Sequence, residues 1–253
     1  MRNGRQFSAK TAGKFAMPPA VRELGFIAMA HLGLLWLLTA ASPVSLGPMP
    51  MVSYFLATAL VAILMRSRYA HARLGVCNAI THLRLTLTVW LCAVLVQPGL
   101  LAENVEVAWA ATCVALLSLS LDGIDGWMAR REGLTSAFGA RFDVEVDAML
   151  ALSLSLLAWQ AGLAGFWVLA LGLPRYLFLA AQQIVPWLCA PLPPRRDRKI
   201  VCALQITALI ALLCPLVPAA LSQPGAAMAA FVLLLSFGRD TLWLWHRRRP
   251  QLA

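Results

Sequence analysis

Long apolar runs recur through this 253-residue chain, and most of its Lys and Arg residues fall in the short segments between them. A bilayer core takes about 17–25 apolar residues per helix. Runs that meet or approach this length lie at roughly 24–41, 51–65, 79–96, 107–121, 146–160, 164–185, 200–217 and 227–245. Pro- and Gly-containing turns separate several of them, at 43–50, 98–99, 162–165 and 218–224. With 60% hydrophobic and 13% charged residues, the chain lacks the charge needed to cover a soluble domain of this size. The class is an all-α integral membrane protein.

The basic residues set the expected orientation. Arg2, Arg5, Lys10, Lys14 and Arg22 precede the first run, and Arg66, Arg68 and Arg73 follow the second. Arg130, Arg131 and Arg141 follow the fourth, Arg195, Arg196, Arg198 and Lys199 the sixth, and Arg247, Arg248 and Arg249 the eighth. The intervening turns at 42–50, 97–106, 161–165 and 218–226 carry no Lys or Arg. Every second loop is basic, which predicts eight helices with both termini in the cytoplasm. The net charge of +10 then reads as topology and contact with anionic lipid, and nucleic-acid binding is not expected. The expected organisation is a basic tail over 1–23, two transmembrane helices over 24–65, an amphipathic interfacial segment over 66–77, a six-helix domain over 78–246 and a basic tail over 247–253. Thr39-Ala40-Ala41 would permit signal cleavage, but the first run is long for a signal core and reads as a retained helix. The six cysteines show no paired spacing and read as small buried hydrophobes.

Against this background four carboxylates stand out. Asp122 and Asp125 lie three apart, and Asp143 and Asp147 four apart, so each pair shares one face of a helix. Gly126 and Ala129 continue the first face, and their small side chains let a ligand approach the backbone. Gly139 lies one turn before Asp143. Residues 131–138 are polar enough to turn the chain, giving two antiparallel helices that face each other. Four converging carboxylates repel in a low dielectric, and two bound Mg²⁺ or Mn²⁺ ions would relieve this. Such a site suits displacement at phosphorus, with a spare carboxylate taking the proton of an attacking hydroxyl. Glu145 points away from the Asp143–Asp147 face and is expected to pair with a nearby Arg.

The array reads Asp122-x-x-Asp125-Gly126-x-x-Ala129-Arg130, eight residues, then Gly139-x-x-x-Asp143-x-x-x-Asp147. It resembles, at every specified position, the motif of the CDP-alcohol phosphatidyltransferase family. The resemblance implies a six-helix core with two additional N-terminal transmembrane helices, so that 78–246 is the catalytic membrane domain. It implies transfer of a phosphatidyl group from CDP-diacylglycerol to a small polar alcohol, with release of CMP. By the same likeness Asp122, Asp125, Asp143 and Asp147 bind two divalent cations (Mg²⁺ or Mn²⁺), Asp147 is the general base, and Gly126, Arg130 and Ser136 line the CDP moiety together with Ala129 and Gly139. Arg130 suits a pyrophosphate, to which guanidinium donates in pairs. A homodimer in a bacterial-type inner membrane, with its site facing the cytoplasm, is also implied.

Two further stretches extend the likeness. Asn78-Ala-Ile-Thr81-His-Leu-Arg84 resembles the start of the family's first core helix, which places Asn78 and Thr81 at the donor. From the residues alone, two readings stand level: a polar stripe that reaches the nucleotide, or an Asn cap and threonines bonded back to carbonyls. Arg198-Lys199 through Gln205 resembles a stretch of bacterial phosphatidylglycerophosphate synthases. Lys199 and Gln205 match there, while a Gly, a second Lys and a Thr do not, which weakens glycerol 3-phosphate as the acceptor against inositol phosphate or another alcohol. Arg175, in mid-run after Pro174, is expected deep in the bundle. It could bind an acceptor phosphate with Lys199, or pair with Glu145. Arg239 and Asp240 read as structural, and His31 as solvated or locally bonded. A divalent-cation transporter would also use buried carboxylates, but it gives no reason for Gly126, Ala129, Arg130 and Gly139 at their spacings.

Overall fold

The computed structural model describes residues 17–193, 195 and 197–248, and these contain helices and no strand. Eight helices of eleven residues or more follow in order. They are α1 (Pro19–Ala40), α2 (Met49–Arg68), α3 (Gly75–Leu95), α4 (Val105–Glu132), α5 (Ala137–Gln160), α6 (Pro174–Ile184), α7 (Asp197–Leu213) and α8 (Ala219–Arg247). The α1, α2 and α6 helices each place a proline in their first turn, where its fixed φ suits the helix and its missing N–H costs nothing. Single 3₁₀ segments, Phe166–Leu171 and Pro186–Cys189, flank α6.

Helix α3 is the centre of the bundle. It packs on α4 and α5 on one side and on α1 and α2 on the other, while α7 closes the far side against α4, α5 and α8. Thr81, His82, Arg84, Thr86 and Thr88 are all buried within α3. Five helices (α1, α2, α3, α4 and α8) are long and apolar enough to cross a membrane. The other three fall short for local reasons: α5 carries three carboxylates, α6 has only 11 residues and α7 only 17.

Several expectations change. The 1–23 tail is shorter on its helical side, because α1 already starts at Pro19; residues 1–16 and 249–253 of the two tails lie outside the described residues. The 66–77 segment is not a separate interfacial helix: Arg66 and Arg68 end α2, residues 69–74 form a loop, and Gly75 opens α3. That loop is held by its own bonds, with the Tyr69 hydroxyl 2.9 Å from the Arg73 carbonyl and 3.0 Å from that of Leu74. The turn at 218–224 is absorbed into α8, with Pro224 inside the helix.

The 164–185 run does not form one helix. Proline at 174 cannot donate to the carbonyl four residues earlier, so the chain passes through a 3₁₀ segment and restarts. The Leu171 carbonyl takes a bond from Gln205 Nε2 on α7. Gly172, at the break, lies against α5: a Cβ there would meet Ser155 Oγ and come within 2.8 Å of Leu152 Cα.

Candidate active site

Helix α4 ends at Gly133, which adopts φ 66° and turns the chain out of the helix as glycine does at such positions. Ser136 then caps α5, accepting from Gly139 N at 2.9 Å. This short connection sets the last turns of α4 against the first turns of α5. It brings Asp122 and Asp125 to face Asp143 and Asp147 at the end of the bundle that carries the basic loops.

One guanidinium holds all four. Arg84 of α3 is fully buried. Its Nη1 lies 3.1 Å from Asp122, 2.9 Å from Asp125 and 2.6 Å from Asp143, its Nη2 meets Asp147, and its Nε donates to the Ser118 carbonyl at 3.2 Å. Thr81 Oγ1 adds a bond to Asp125 at 3.1 Å. Four carboxylates against one guanidinium leave three negative charges uncompensated if all are ionised. Oxygens of Asp122, Asp143 and Asp147 lie within 4.8 Å of one another, and an all-oxygen donor set of this kind fits a hard divalent cation. Asp125, nearly buried and tied to Thr81 and Arg84, stands slightly apart from that triad.

Two cavities open from the cluster. The smaller, about 170 Å³, is lined by every residue expected at the donor: Asn78, Thr81, Gly126, Ala129, Arg130, Ser136 and Gly139. Of the structural reading of the α3 polar stripe, the back-bonded threonine holds and the Asn cap does not. Asn78 does not cap α3, whose cap position is Leu74; its Nδ2 donates to Leu74 O at 2.6 Å and to the Tyr69 hydroxyl at 3.0 Å. Thr81 bonds back to Cys77 O at 3.1 Å and also reaches Asp125. Arg130 lines this cavity without a carboxylate partner among the described residues.

The larger cavity, about 390 Å³, is lined by Asp122, Asp143 and Asp147, by apolar residues that include Phe178, Leu233 and Phe237, and by Arg175, Arg198 and Lys199. Asp143 and Lys199 line both cavities. Arg175 is not deep: its side chain is one-third exposed, and it pairs with Glu145 at 2.5 Å. The restart of the helix at Pro174 explains this, since Arg175 stands in a first turn. Arg198 is held by both oxygens of Asp240, at 2.7 and 3.2 Å, and Arg239 by Asp197. Lys199 is thus the one cation lining the larger cavity that has no carboxylate partner among the described residues.

A family model for CDP-alcohol phosphatidyltransferases matches residues 74–238. The chain belongs to the CDP-alcohol phosphatidyltransferase family. It is therefore a membrane transferase of phospholipid biosynthesis that moves phosphatidyl groups, in a family that uses divalent cations. No curated protein and no solved structure matches the chain. As a CDP-alcohol phosphatidyltransferase it carries α1 and α2 as an addition, because the match begins after both.

Arg84 and Arg198 are the site residues missing from the sequence reading. Arg84 stands three residues after Thr81, so it shares the face that points at the donor. Four clustered aspartates, one of them buried, also demand a counter-charge. Those two signals together single it out.

Proposed function

We propose that the chain transfers a phosphatidyl group from CDP-diacylglycerol to a small polar alcohol bearing a phosphate, glycerol 3-phosphate or an inositol phosphate among them, and releases CMP. The observation that carries this reading is the junction of the two cavities at Asp143 and Lys199. A donor in the smaller cavity and an alcohol in the larger one would meet beside the aspartates. Arg130 and the small residues Gly126, Ala129 and Gly139 suit a pyrophosphate laid close to the backbone.

Asp122, Asp125, Asp143 and Asp147 would hold two divalent cations, whose charge would neutralise the phosphoryl oxygens and the leaving CMP. Two such ions bring four positive charges against the three left uncompensated by Arg84, so the loaded site becomes attractive to an anionic pyrophosphate. The acceptor hydroxyl oxygen bonds to the phosphorus that carries the diacylglycerol. The bond from that phosphorus to the CMP oxygen breaks, and CMP leaves with the electron pair. Asp147, which lines the larger cavity, takes the hydroxyl proton. Lys199, without a carboxylate partner among the described residues, would meet the acceptor phosphate, with Arg175 in the same lining. The basic loops gather at the end of the bundle that holds the site, which supports a cytoplasmic-facing site in a bacterial-type inner membrane.

Purified protein with radiolabelled CDP-diacylglycerol, Mg²⁺ or Mn²⁺ and a panel of alcohols tests the proposal by lipid chromatography. A labelled lipid product formed only with a phosphorylated acceptor supports it. Product with serine or another unphosphorylated alcohol alone overturns the acceptor assignment, and metal flux without CMP release overturns the reaction.

A further inference from the structure

The two helices outside the family match are fastened to α3, which carries Asn78 and Thr81 of the smaller cavity. On α1 the residues Val21, Leu24, Ala28 and Leu35 are buried, and His31 occupies the gap in their three-four spacing. On α2 the buried residues are Pro50, Tyr54, Val61 and Met65, with Thr58 in the corresponding gap. Both polar residues meet His82 of α3, which is fully buried. The Nδ1 atoms of His31 and His82 lie 2.9 Å apart, and Thr58 Oγ1 lies 3.2 Å from His82 Nε2. Tyr54 packs edge-on against the His82 ring and donates its hydroxyl to Ala28 O at 2.7 Å. Both ring nitrogens of a buried histidine are thus satisfied by the added hairpin. Removing either partner would leave a buried polar group unpaired.

A second fastening lies nearer the basic end. Glu23 Oε2 accepts from Leu74 N at 2.8 Å, and Leu74 is the cap residue of α3. The Leu74 carbonyl in turn accepts from Asn78 Nδ2 at 2.6 Å. One peptide unit therefore links Glu23 to a residue that lines the smaller cavity. The pairs Glu23–Leu74 and His31–His82 are each 51 residues apart, so α1 and α3 run parallel in a constant register. The two fastenings are eight residues, or about 12 Å, apart along both helices. Asn78 and Thr81 lie between them, and Arg84 follows directly.

We propose that the α1–α2 hairpin is a positioning element for the reaction. It sets the height and rotation of α3 so that Asn78 and Thr81 meet the donor and Arg84 meets the aspartates. Polar residues at single seam positions of packed helices are well suited to fixing register, and His31 and Thr58 hold such positions. The proposal rests on the smaller cavity being the donor site.

The test uses the full-length protein in nanodiscs, with His31→Leu, Glu23→Ala, which removes the acceptor for Leu74 N, and the conservative His31→Asn, whose amide can replace the Nδ1 contact. Three quantities are read: the KM for CDP-diacylglycerol against kcat, the melting temperature, and N-ethylmaleimide labelling of Cys77 followed by mass spectrometry. Cys77 is buried in the first turn of α3 and lines the smaller cavity. The expected result is a KM raised about tenfold in His31→Leu and Glu23→Ala, within the roughly hundredfold that a 1 Å misplacement costs. Cys77 labelling should rise with it, and His31→Asn should stay near wild type. A lower melting temperature with unchanged KM and unchanged Cys77 labelling reduces the hairpin to packing and overturns the proposal. Should His31→Leu fail to fold, Glu23→Ala, at the end of the bundle, decides alone. Should the wild type transfer nothing from CDP-diacylglycerol, the functional reading falls, while the labelling arm still tests the hairpin.

Discussion

Arg84 Nη1 lies 2.6 Å from Asp143 Oδ1, across 59 positions of sequence. The same guanidinium reaches the other three aspartates, so it is the protein's own counter-charge for the cluster. Arg84→Gln keeps hydrogen-bonding capacity but removes the charge. Breaking a buried ion pair costs about 3–5 kcal/mol, so the melting temperature of this variant in EDTA should fall clearly below wild type. Added Mg²⁺ should recover part of the loss, because a divalent ion compensates the same carboxylates. A melting curve indifferent to both the substitution and the metal would remove Arg84 from this role.

The proposed division of labour among the acidic residues predicts unequal effects on turnover. Asp143→Asn and Asp147→Asn should each slow metal-dependent CMP release by about 10²-fold or more. Glu145→Gln should have a small effect, since Glu145 pairs with Arg175 and its side chain is nearly half exposed. Steady-state CMP release measured on the three variants separates them.

Among the cations lining the larger cavity, Lys199 should matter more than Arg175. A hydrogen bond to a charged group contributes about 1.5–3 kcal/mol. Lys199→Ala is therefore expected to raise the KM for a phosphorylated acceptor by roughly ten- to a hundredfold, with the KM for the CDP-linked donor changed less. Arg175→Ala, which breaks a half-exposed pair, should shift the acceptor KM less than Lys199→Ala does. Initial rates with each substrate varied in turn distinguish these outcomes.

Gly172 offers a test of the fold itself. An added methyl group would run into Ser155 Oγ and the Leu152 backbone, and backbone cannot swing aside as a side-chain tip can. Gly172→Ala should cost roughly 1–3 kcal/mol, read as a lowered melting temperature. Paired with Ser155→Ala it should recover only in part, because the Leu152 contact remains.

The eight helices and the two Asp pairs were legible in the sequence because each rests on local spacing: apolar run length for the helices, a three- or four-residue period for the carboxylates. What escaped depends on where separate helices cross. The grip of Arg84 on four aspartates joins α3, α4 and α5, and no single segment announces it. His31 reads as isolated for the same reason, because its partner is 51 residues away on a parallel helix. The helix break at Pro174 was half visible. Proline announces a fault in the helix, but only the approach of Gln205 and α5 shows that the chain abandons the helix there and begins another.

The two cavities share Asp143 and Lys199 and otherwise have separate linings. If they hold donor and acceptor as proposed, neither substrate blocks the other's doorway. Loading can then proceed in either order, and both reactants must be present together before anything happens. Initial-rate plots should give intersecting lines, without a phosphatidylated protein as a way station. A depleted acceptor would leave the enzyme waiting with its donor intact.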